Sequence, residues 1–513
     1  MARRTAARKV TEETGIVIVG TGFSGLGMAI QLKKAGRDDF VLLEKAAEIG
    51  GTWRDNSYPG CACDVPSHMY SYSFEPNARW SQTFSAQPEI WDYLKRLTDK
   101  YGLREHIRFG HEVTSARWDD REHRWQVGTK AGEFTGKFLV AGVGALHIPN
   151  IPQLPGLDTF KGKTFHSAQW DHAYDLRGKK VAVIGTGASA IQFVPEIAKQ
   201  VAELHLYQRT PPWVMPRANA EIPESARNVF QRVPLLRRVY RNVVYWGAES
   251  LAIGMNGHPA ILRAGEWLGK RHINRQIADP VLRKKVTPRY RLGCKRVLGS
   301  NTYYRSLTRD HVQVITEGIT EIREHGVVTA DGTERAVDAI IFGTGFHVTD
   351  AFEYLDIKGR GGRDLAEQWR REGIQTHLGI TVNGFPNSFF LLGPNTGLGH
   401  NSVVFMIESQ IRYALDAIRM VERNRAAGFE VRRQVQGEFN AEIQRKLAKG
   451  VWSTGGCTSW YLDSQGVNRT IWPGFTWQYW LRTRKADPAD FELIGSRRGQ
   501  HADREHSLTG VVR

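Results

Sequence analysis

An α/β fold made of two parallel-sheet units, one set inside the other and carrying a helical insert, is predicted by three observations. Two apolar strands, 165 residues apart, each run straight into a glycine-rich turn and a helix. A connector dense in Gly and Pro, Val140 to Gly156, follows the first unit. Short strands around an Asp331-Gly332 turn then lead to Ala339-Ile-Ile-Phe-Gly-Thr-Gly-Phe346, a late return to the first unit. The chain of 513 residues, 41% hydrophobic and 24% charged, has the composition of a globular protein of about three domains. Disordered, collagen-like and coiled-coil architectures are excluded, and no apolar run nears the ~18 residues of a membrane span.

Taken in order, Met1 to Lys9 is basic without an apolar stretch, so no secretory signal is expected and residues 1–14 are read as a tail. Gly15-Ile-Val-Ile-Val-Gly-Thr-Gly-Phe-Ser-Gly25 is a strand entering a GxGxxG turn, in which Gly20, Gly22, Phe23 and Gly25 sit; Leu26 to Lys34 is its helix. The strand Phe40–Glu44 ends in an acid 19 residues after Gly25. This is the Rossmann-like dinucleotide arrangement: the glycines let a pyrophosphate approach the helix N-terminus, and Glu44 stands where a carboxylate holds ribose hydroxyls. Val181-Ala-Val-Ile-Gly-Thr-Gly-Ala-Ser-Ala190 repeats the device, but its second strand, Leu204 to Arg209, ends in a base that favours a 2′-phosphate. The first site therefore suits FAD and the second NADPH. The predicted organisation is an FAD domain from 15–148 and 336–485, an NADPH domain from 149–335 with a helical insert at 220–290, and a C-terminal tail from 486–513.

A nicotinamide hydride reduces a flavin, which can pass electrons to a disulfide, a quinone or dioxygen. Cys61 and Cys63 are too close in one extended loop to bridge without strain, which disfavours a disulfide reductase. With Cys294 and Cys457 they are too few for a disulfide framework, so a reducing, cytoplasmic setting is expected.

The net charge of +17 is concentrated between Arg227 and Arg296, where 16 Lys and Arg face only Glu249, Glu266 and Asp279. Nucleic acid, membrane surfaces and phosphate-bearing ligands all fit such a balance. Phe230, Val233, Val239, Tyr240, Val243 and Val244 recur at near-helical spacing, so the expectation is packed amphipathic helices with an arginine-rich outer face. No zinc-finger spacing or RNA-binding aromatic motif is present, so no specific nucleic-acid partner is expected; peripheral membrane contact through the insert stays open.

Two longer signatures carry a resemblance. Phe160-Lys-Gly-Lys-Thr-Phe-His-Ser-Ala-Gln-Trp-Asp171 fits FxGxxxHxxxW followed by Pro or Asp, and Gly50-Gly-Thr-Trp-Arg-Asp-Asn-Ser-Tyr-Pro-Gly-Cys-Ala-Cys-Asp64 fits GGxWxxxx(Y/F)PGxxxD. From about residue 15 to 480 the chain resembles the type I Baeyer–Villiger monooxygenases, FAD- and NADPH-dependent enzymes that turn ketones into esters or lactones through a flavin peroxide. The resemblance implies that Arg296, in Gly293-Cys-Lys-Arg296, stabilises the peroxide anion and that Asp64 holds Arg296 in place. A permanently protonated arginine suits that task on physical grounds as well. It further implies that Lys295 reaches the 2′-phosphate beside Arg209 and Thr210, and that Thr186, Gly187, Ser189 and Gln192 wrap the NADPH pyrophosphate. Thr52, Trp53 and Tyr70 match flavin-contacting positions, Val113 the adenine position, and Trp460 a mobile-loop tryptophan, although Tyr461-Leu-Asp463 follows it where the family has Gly-x-Asn. His166 and Trp170 are read as hinge and packing residues.

Two expectations come from the residues themselves. The glycine-led turn before the helix at Ser402 should place Thr396 to Ser402 against the flavin pyrimidine ring. The insert, with Tyr240, Tyr245, Trp246 and Trp267, should cover the entrance for a bulky, lipophilic ketone, with O2 as co-substrate. The alternatives are a monooxygenase acting on nitrogen or sulfur and an uncoupled NADPH oxidase or reductase.

Overall fold

In a computed structural model the chain is described over residues 11–354 and 356–495. The first unit contains β1 (Thr11–Val19), α1 (Phe23–Lys34), β2 (Phe40–Glu44), α2 (Thr52–Asp55), α3 (Gln87–Lys100), β3 (Ile107–Phe109), β4 (Val113–Asp119), β5 (Arg124–Thr129) and β6 (Glu133–Ala141). The second contains β7 (Lys163–His166), β8 (Lys180–Ile184), α4 (Ala190–Ile197), β9 (Glu203–Tyr207) and β10 (Val214–Met215). The helical insert follows as α5 (Glu224–Arg232), α6 (Pro234–Met255), α7 (Pro259–Gln276) and α8 (Pro280–Val286). The chain then forms β11 (Leu298–Gly299), α9 (Tyr303–Ser306), β12 (Val312–Ile315), β13 (Ile319–Arg323), β14 (Gly326–Thr329), β15 (Glu334–Ala336) and β16 (Ala339–Phe342). It returns to the first unit through β17 (Asp356–Lys358), α10 (Leu365–Glu372), β18 (Ser388–Phe390), α11 (Val403–Arg423), β19 (Gly428–Val431) and β20 (Phe491–Ile494).

The larger sheet has the order β17-β4-β5-β6-β1-β2-β3, with β18 alongside β6. Parallel pairing of β1 with β2 (Ile16 opposite Phe40) and with β6 (Ile16 opposite Phe138) buries β2 completely, as its uninterrupted apolar run requires. The smaller sheet, β12-β9-β8-β16-β7, is parallel throughout. Both sheets present the C-terminal ends of their strands to the glycine turns, where ligands bind in folds of this kind.

Three predicted boundaries change. β1 begins at Thr11 and pairs with Glu133, so residues 11–14 are strand and not tail. β16 pairs with β7 and β8, so 339–342 belong to the second unit and the return crossing starts at Gly343, not at 336. Residues 486–494 are not tail either: β20 pairs with β19, and Ala486 and Phe491 are buried. The predicted polar tail from Arg497 lies outside the described residues.

The two crossings between the units lie side by side. Asn150 N–H donates to Gly345 O and His347 N–H to Ile148 O, both at 2.9 Å, Thr344 Oγ1 donates to Asn150 O, and Pro149 and Phe346 form an antiparallel bridge. His166 and Trp170 lie next to this connection. The His166 ring packs edge-on against Phe346 and burial lowers its pKa to about 4, while Trp170 packs against Phe165 and Phe193.

The insert corrects the predicted polarity in part: the exposed Arg232, Arg238, Lys270 and Arg271 form the expected basic outer face, but apolar residues share it. Val233, Val239 and Val243 are exposed, as are Trp246 and Trp267, whereas Arg241 and Glu249 turn toward the body. Tyr240 packs on His68 and Tyr245 stacks on Phe405, so only these two of the four singled-out aromatics face inward. Among the described residues no helix is long and apolar enough to cross a membrane.

Candidate active site

The first turn is built by close approach. A Cβ on Gly25 would collide with the carbonyl oxygen of Gly20, so only glycine lets α1 start there. Gly22 caps α1 without a side-chain bond, and no acid stands in the first turn, which leaves the N-terminal N–H groups and their dipole for an anion. The second signature loop lies on this turn: a Cβ on Gly51 would stand 3.2 Å from Gly22 Cα. Thr52 and Trp53 follow in α2, Trp53 Nε1 donates to Tyr70 Oη at 3.2 Å, and Phe23 packs edge-on against Tyr70 at 5.2 Å. Val113 is brought beside Glu44 because His111 N–H donates to the Glu44 carbonyl.

Glu44 has a task the sequence did not show. Its buried carboxylate accepts from Thr21 N–H, Thr21 Oγ1, Ala46 N–H and Arg54 Nη1, at 2.5–3.2 Å. Four donors match the lone-pair capacity of a carboxylate. Glu44 thus fastens the second signature, through Arg54, to the first turn, and a ribose hydroxyl must share these oxygens.

The second turn opens at Gly185, whose φ of +107° and approach to the Gly343 carbonyl both demand glycine. Gly187 is exposed and Ser189 caps α4 without a side-chain bond, again with no acid in the first turn. Thr186 Oγ1 donates to Thr210 O at 3.4 Å, which draws the turn to the end of β9. Arg209 is exposed there, and Lys295 lies half-buried over the Tyr290 ring. Burial and the Arg209 charge both push the Lys295 pKa down. No carboxylate lies within ion-pair distance of either cation among the described residues. Two mutually repelling, uncompensated cations beside a pyrophosphate turn fit the 2′-phosphate of NADPH. Gln192 departs from expectation: its side chain is taken up by Tyr58 Oη and the backbone of Ala62, so it ties the second unit to the signature loop instead of facing the turn.

Arg296 and Asp64 meet as a bidentate pair, Nε to Oδ2 at 2.9 Å and Nη2 to Oδ1 at 2.8 Å, across 232 residues of sequence. The parallel pairing of β10 with β11 positions the segments that flank the two strands, Arg296 preceding β11 and Arg217 following β10. Burial pushes the Asp64 carboxyl up, but the Arg296 charge, its hydrogen bonds and the Arg217 charge outweigh this and hold it below the usual range. Arg296 is raised further above its ordinary value by Asp64. The stability this pair contributes is present above the unfolded carboxyl value and is lost only in acid, below the lowered folded one. Two of the five guanidinium N–H groups go to Asp64, leaving three to offer. Sequence reasoning missed Arg217, which donates to Cys63 O, and Tyr461, whose buried hydroxyl has no hydrogen-bond partner among the described residues. Burial pushes the Tyr461 pKa up to about 12, and the Arg296 charge pulls against it.

Cys294 and Cys457 form a disulfide that the sequence reading did not anticipate, while Cys61 and Cys63 are free and buried. The inference of a reducing compartment therefore loses half of its support. The bridge joins the segment holding Lys295 and Arg296 to the loop that leads to Trp460, which is 42% exposed and packs on Tyr461. Burial pushes the Cys61 thiol up to about 12 and raises Cys63 as well. The folded protein is expected to show no thiol that reacts readily with an aromatic disulfide reagent. Unfolding without reductant should release Cys61 and Cys63 alone, and all four cysteines should titrate only after reduction. Four thiols without reductant would remove the bridge.

At 396–402 some of the donors are used by the protein itself, the Gly397 N–H among them, which donates to Thr470 O. Ser402 N–H goes to Asn401 Oδ1 and Val404 N–H to Ser402 Oγ, while Thr396 Oγ1 donates to Gly393 O. Asn401 Nδ2 and Thr476 close on Glu249 of α6. The cap of α11 uses Ser402 and Val404 N–H, and the backbone N–H groups of 398–401 are not part of it.

Comparison with known proteins supplies the last observation. A family model described as pyridine nucleotide-disulphide oxidoreductase matches residues 17–233. A Baeyer-Villiger monooxygenase of Pseudomonas aeruginosa is 51% identical over 480 residues, 93% of this chain and 91% of that protein. A Baeyer-Villiger monooxygenase of Streptomyces coelicolor is 47% identical over 488 residues, 95% and 94%. The solved structure of an oxidized steroid monooxygenase bound to NADP superposes with a TM-score of 0.84 at 30% identity, covering 94% of this chain and 99% of that one.

Proposed function

The chain belongs to the Baeyer–Villiger monooxygenase family, and from that premise we propose which of its residues carry the reaction. It is an FAD-containing, NADPH-dependent monooxygenase that inserts one oxygen atom beside a ketone carbonyl to give an ester or lactone. FAD, when bound, supplies hydride acceptance from NADPH and activation of dioxygen, which side chains cannot supply.

The larger sheet holds FAD, with the pyrophosphate at Gly20, Gly22 and Gly25 and the ring system beside Phe23, Thr52, Trp53 and Tyr70. The smaller sheet holds NADPH at Thr186, Gly187 and Ser189, with Arg209, Thr210 and Lys295 on the 2′-phosphate. Arg296 offers its remaining N–H groups where negative charge develops as oxygen adds to the ketone. Asp64 fixes the plane of the guanidinium and keeps it from swinging to solvent, with Arg217 behind it. Tyr461 completes the wall around Arg296, and Trp460 covers the nicotinamide side.

The observation that carries this reading is the Asp64–Arg296 fork, because it unites the end of one signature with the base beside Lys295. The substrate is a lipophilic ketone. Support comes from the inward rings of the insert, Tyr240 against His68 and Tyr245 on Phe405. The test is a series of cyclic ketones of increasing size, incubated with FAD-loaded protein, NADPH and 18O2. One labelled oxygen per ester and one NADPH per ester are expected, with KM falling as the ketone grows. Turnover confined to the smallest ketones would overturn the lipophilic substrate, and turnover of sulfides alone would overturn the assigned role of Arg296.

A further inference from the structure

A surface helix ordinarily turns its apolar stripe inward and its charges outward. α6 departs from this by being apolar on both sides: Ala252 and Met255 are buried against the body, and charged side chains turn inward with them. Its Arg241 faces the body, donating to the carbonyls of His68 and Ser71, and its buried Glu249 accepts from Asn401 and Thr476. Its outer side carries Leu235, Val239, Val243, Trp246 and Ile253, which are 67%, 49%, 66%, 59% and 39% exposed. Their spacing of three, four and seven residues aligns them in one stripe. Trp267 and Leu268 of the neighbouring α7 are exposed as well. Most of the large apolar side chains that the described residues expose lie in this insert.

The stripe is framed by cations. Arg232, Arg238, Lys270 and Arg271 are all exposed. The acids of the segment are spent elsewhere. Glu249 is buried, Glu266 is held by Arg291 and Leu292 N–H, and Asp279 caps α8. An apolar stripe with mainly basic charge around it, the exposed Glu224 of α5 being paired with Arg79, matches an anionic bilayer interface, where acyl chains meet phosphate headgroups. A second copy of the same face is a poor match, since two strongly basic surfaces would oppose each other. Nucleic acid accounts for the cations but offers nothing to cover Leu235 and Val243.

We propose that the outer face of α6 and α7 is a docking surface for an anionic phospholipid bilayer, on which the protein lies without crossing it. The proposal goes beyond the ketone reaction and stands or falls separately from it. The test is sedimentation of the FAD-loaded full chain with vesicles of phosphatidylglycerol and phosphatidylcholine, and with phosphatidylcholine alone. The mixed vesicles should carry the protein down at low salt and release most of it at high salt. The double variant L235S/V243S should weaken vesicle binding by about a hundredfold. R238Q/K270Q should weaken binding by roughly twentyfold and abolish the preference for the anionic lipid. Because these side chains meet solvent, flavin content and NADPH consumption should be unchanged in both variants. Failure of the wild-type chain to sediment with anionic vesicles at low salt would overturn the proposal. So would variants that bind as well as wild type, a dimer that L235S/V243S dissolves, or retention on duplex DNA without vesicle binding.

Discussion

Replacing Arg296 with methionine is expected to cut ester formation by at least about 10²–10³-fold while NADPH still reduces the bound flavin at a near-normal rate. On the proposed assignment the two steps separate, because the hydride donor would be held by the glycine turn at 185–187 and by Arg209 and Lys295 and not by the guanidinium. Oxygen should then be consumed with release of hydrogen peroxide in place of ester. R296K keeps the charge but loses the fork that fixes it on Asp64, so it should recover only part of the activity. The measurement is ester formed per NADPH consumed, beside anaerobic flavin reduction followed by absorbance. A role limited to holding the fold predicts that both steps fall together and that the lysine variant fails to rescue. Near-normal ketone turnover in the methionine variant would refute the assignment outright.

The second large effect concerns the nicotinamide cofactor. R209A/K295A is expected to raise KM for NADPH by about a hundredfold, roughly tenfold for each lost charge contact with the phosphate. KM for NADH, which lacks that phosphate, should change by no more than about twofold. The half-buried Lys295 already has its pKa lowered by burial and by Arg209, so a bound phosphate relieves a repulsion that the free protein carries. Comparing both cofactors at saturating ketone separates this from a general loss of binding. Equal losses for NADPH and NADH would show that the two cations hold the turn rather than the phosphate.

The parts legible in the sequence are those where local geometry dictates residue type. A strand that must turn tightly into a helix leaves glycines at fixed offsets. The residue at the end of the next strand sits beside the same turn, so spacing located Glu44 and Arg209 and their opposite charge told them apart. The meeting of Asp64 with Arg296 was of another kind: no periodicity brings together residues 232 apart, and only the two long signatures pointed to it. The polarity of the insert was legible only in part: its bases do line the outer face, but helical spacing reveals that a helix has an apolar stripe and says nothing of which way the stripe faces. Arg241 and Glu249 could turn inward because His68, Ser71, Asn401 and Thr476 await them there, partners from distant segments. The Cys294–Cys457 bridge was hidden for the same reason, since pairing depends on where 163 intervening residues return. Gln192 stood at a plausible offset in its turn, yet a signature loop from the other unit claimed its amide.

The paired crossings at 148–150 and 344–347 bear on how the two units can move. A single connecting strand would let one unit swivel about any bond along it. Two antiparallel strands joined by hydrogen bonds behave as a ribbon, which flexes across its flat face but resists torsion and sliding. Relative motion is thereby reduced to close to one degree of freedom, an arc rather than a tumble. A nicotinamide carried on Arg209 and Lys295 would move together with Arg296 along a repeatable path past Trp53 and Tyr70 of the first unit, returning to the same register after every turnover.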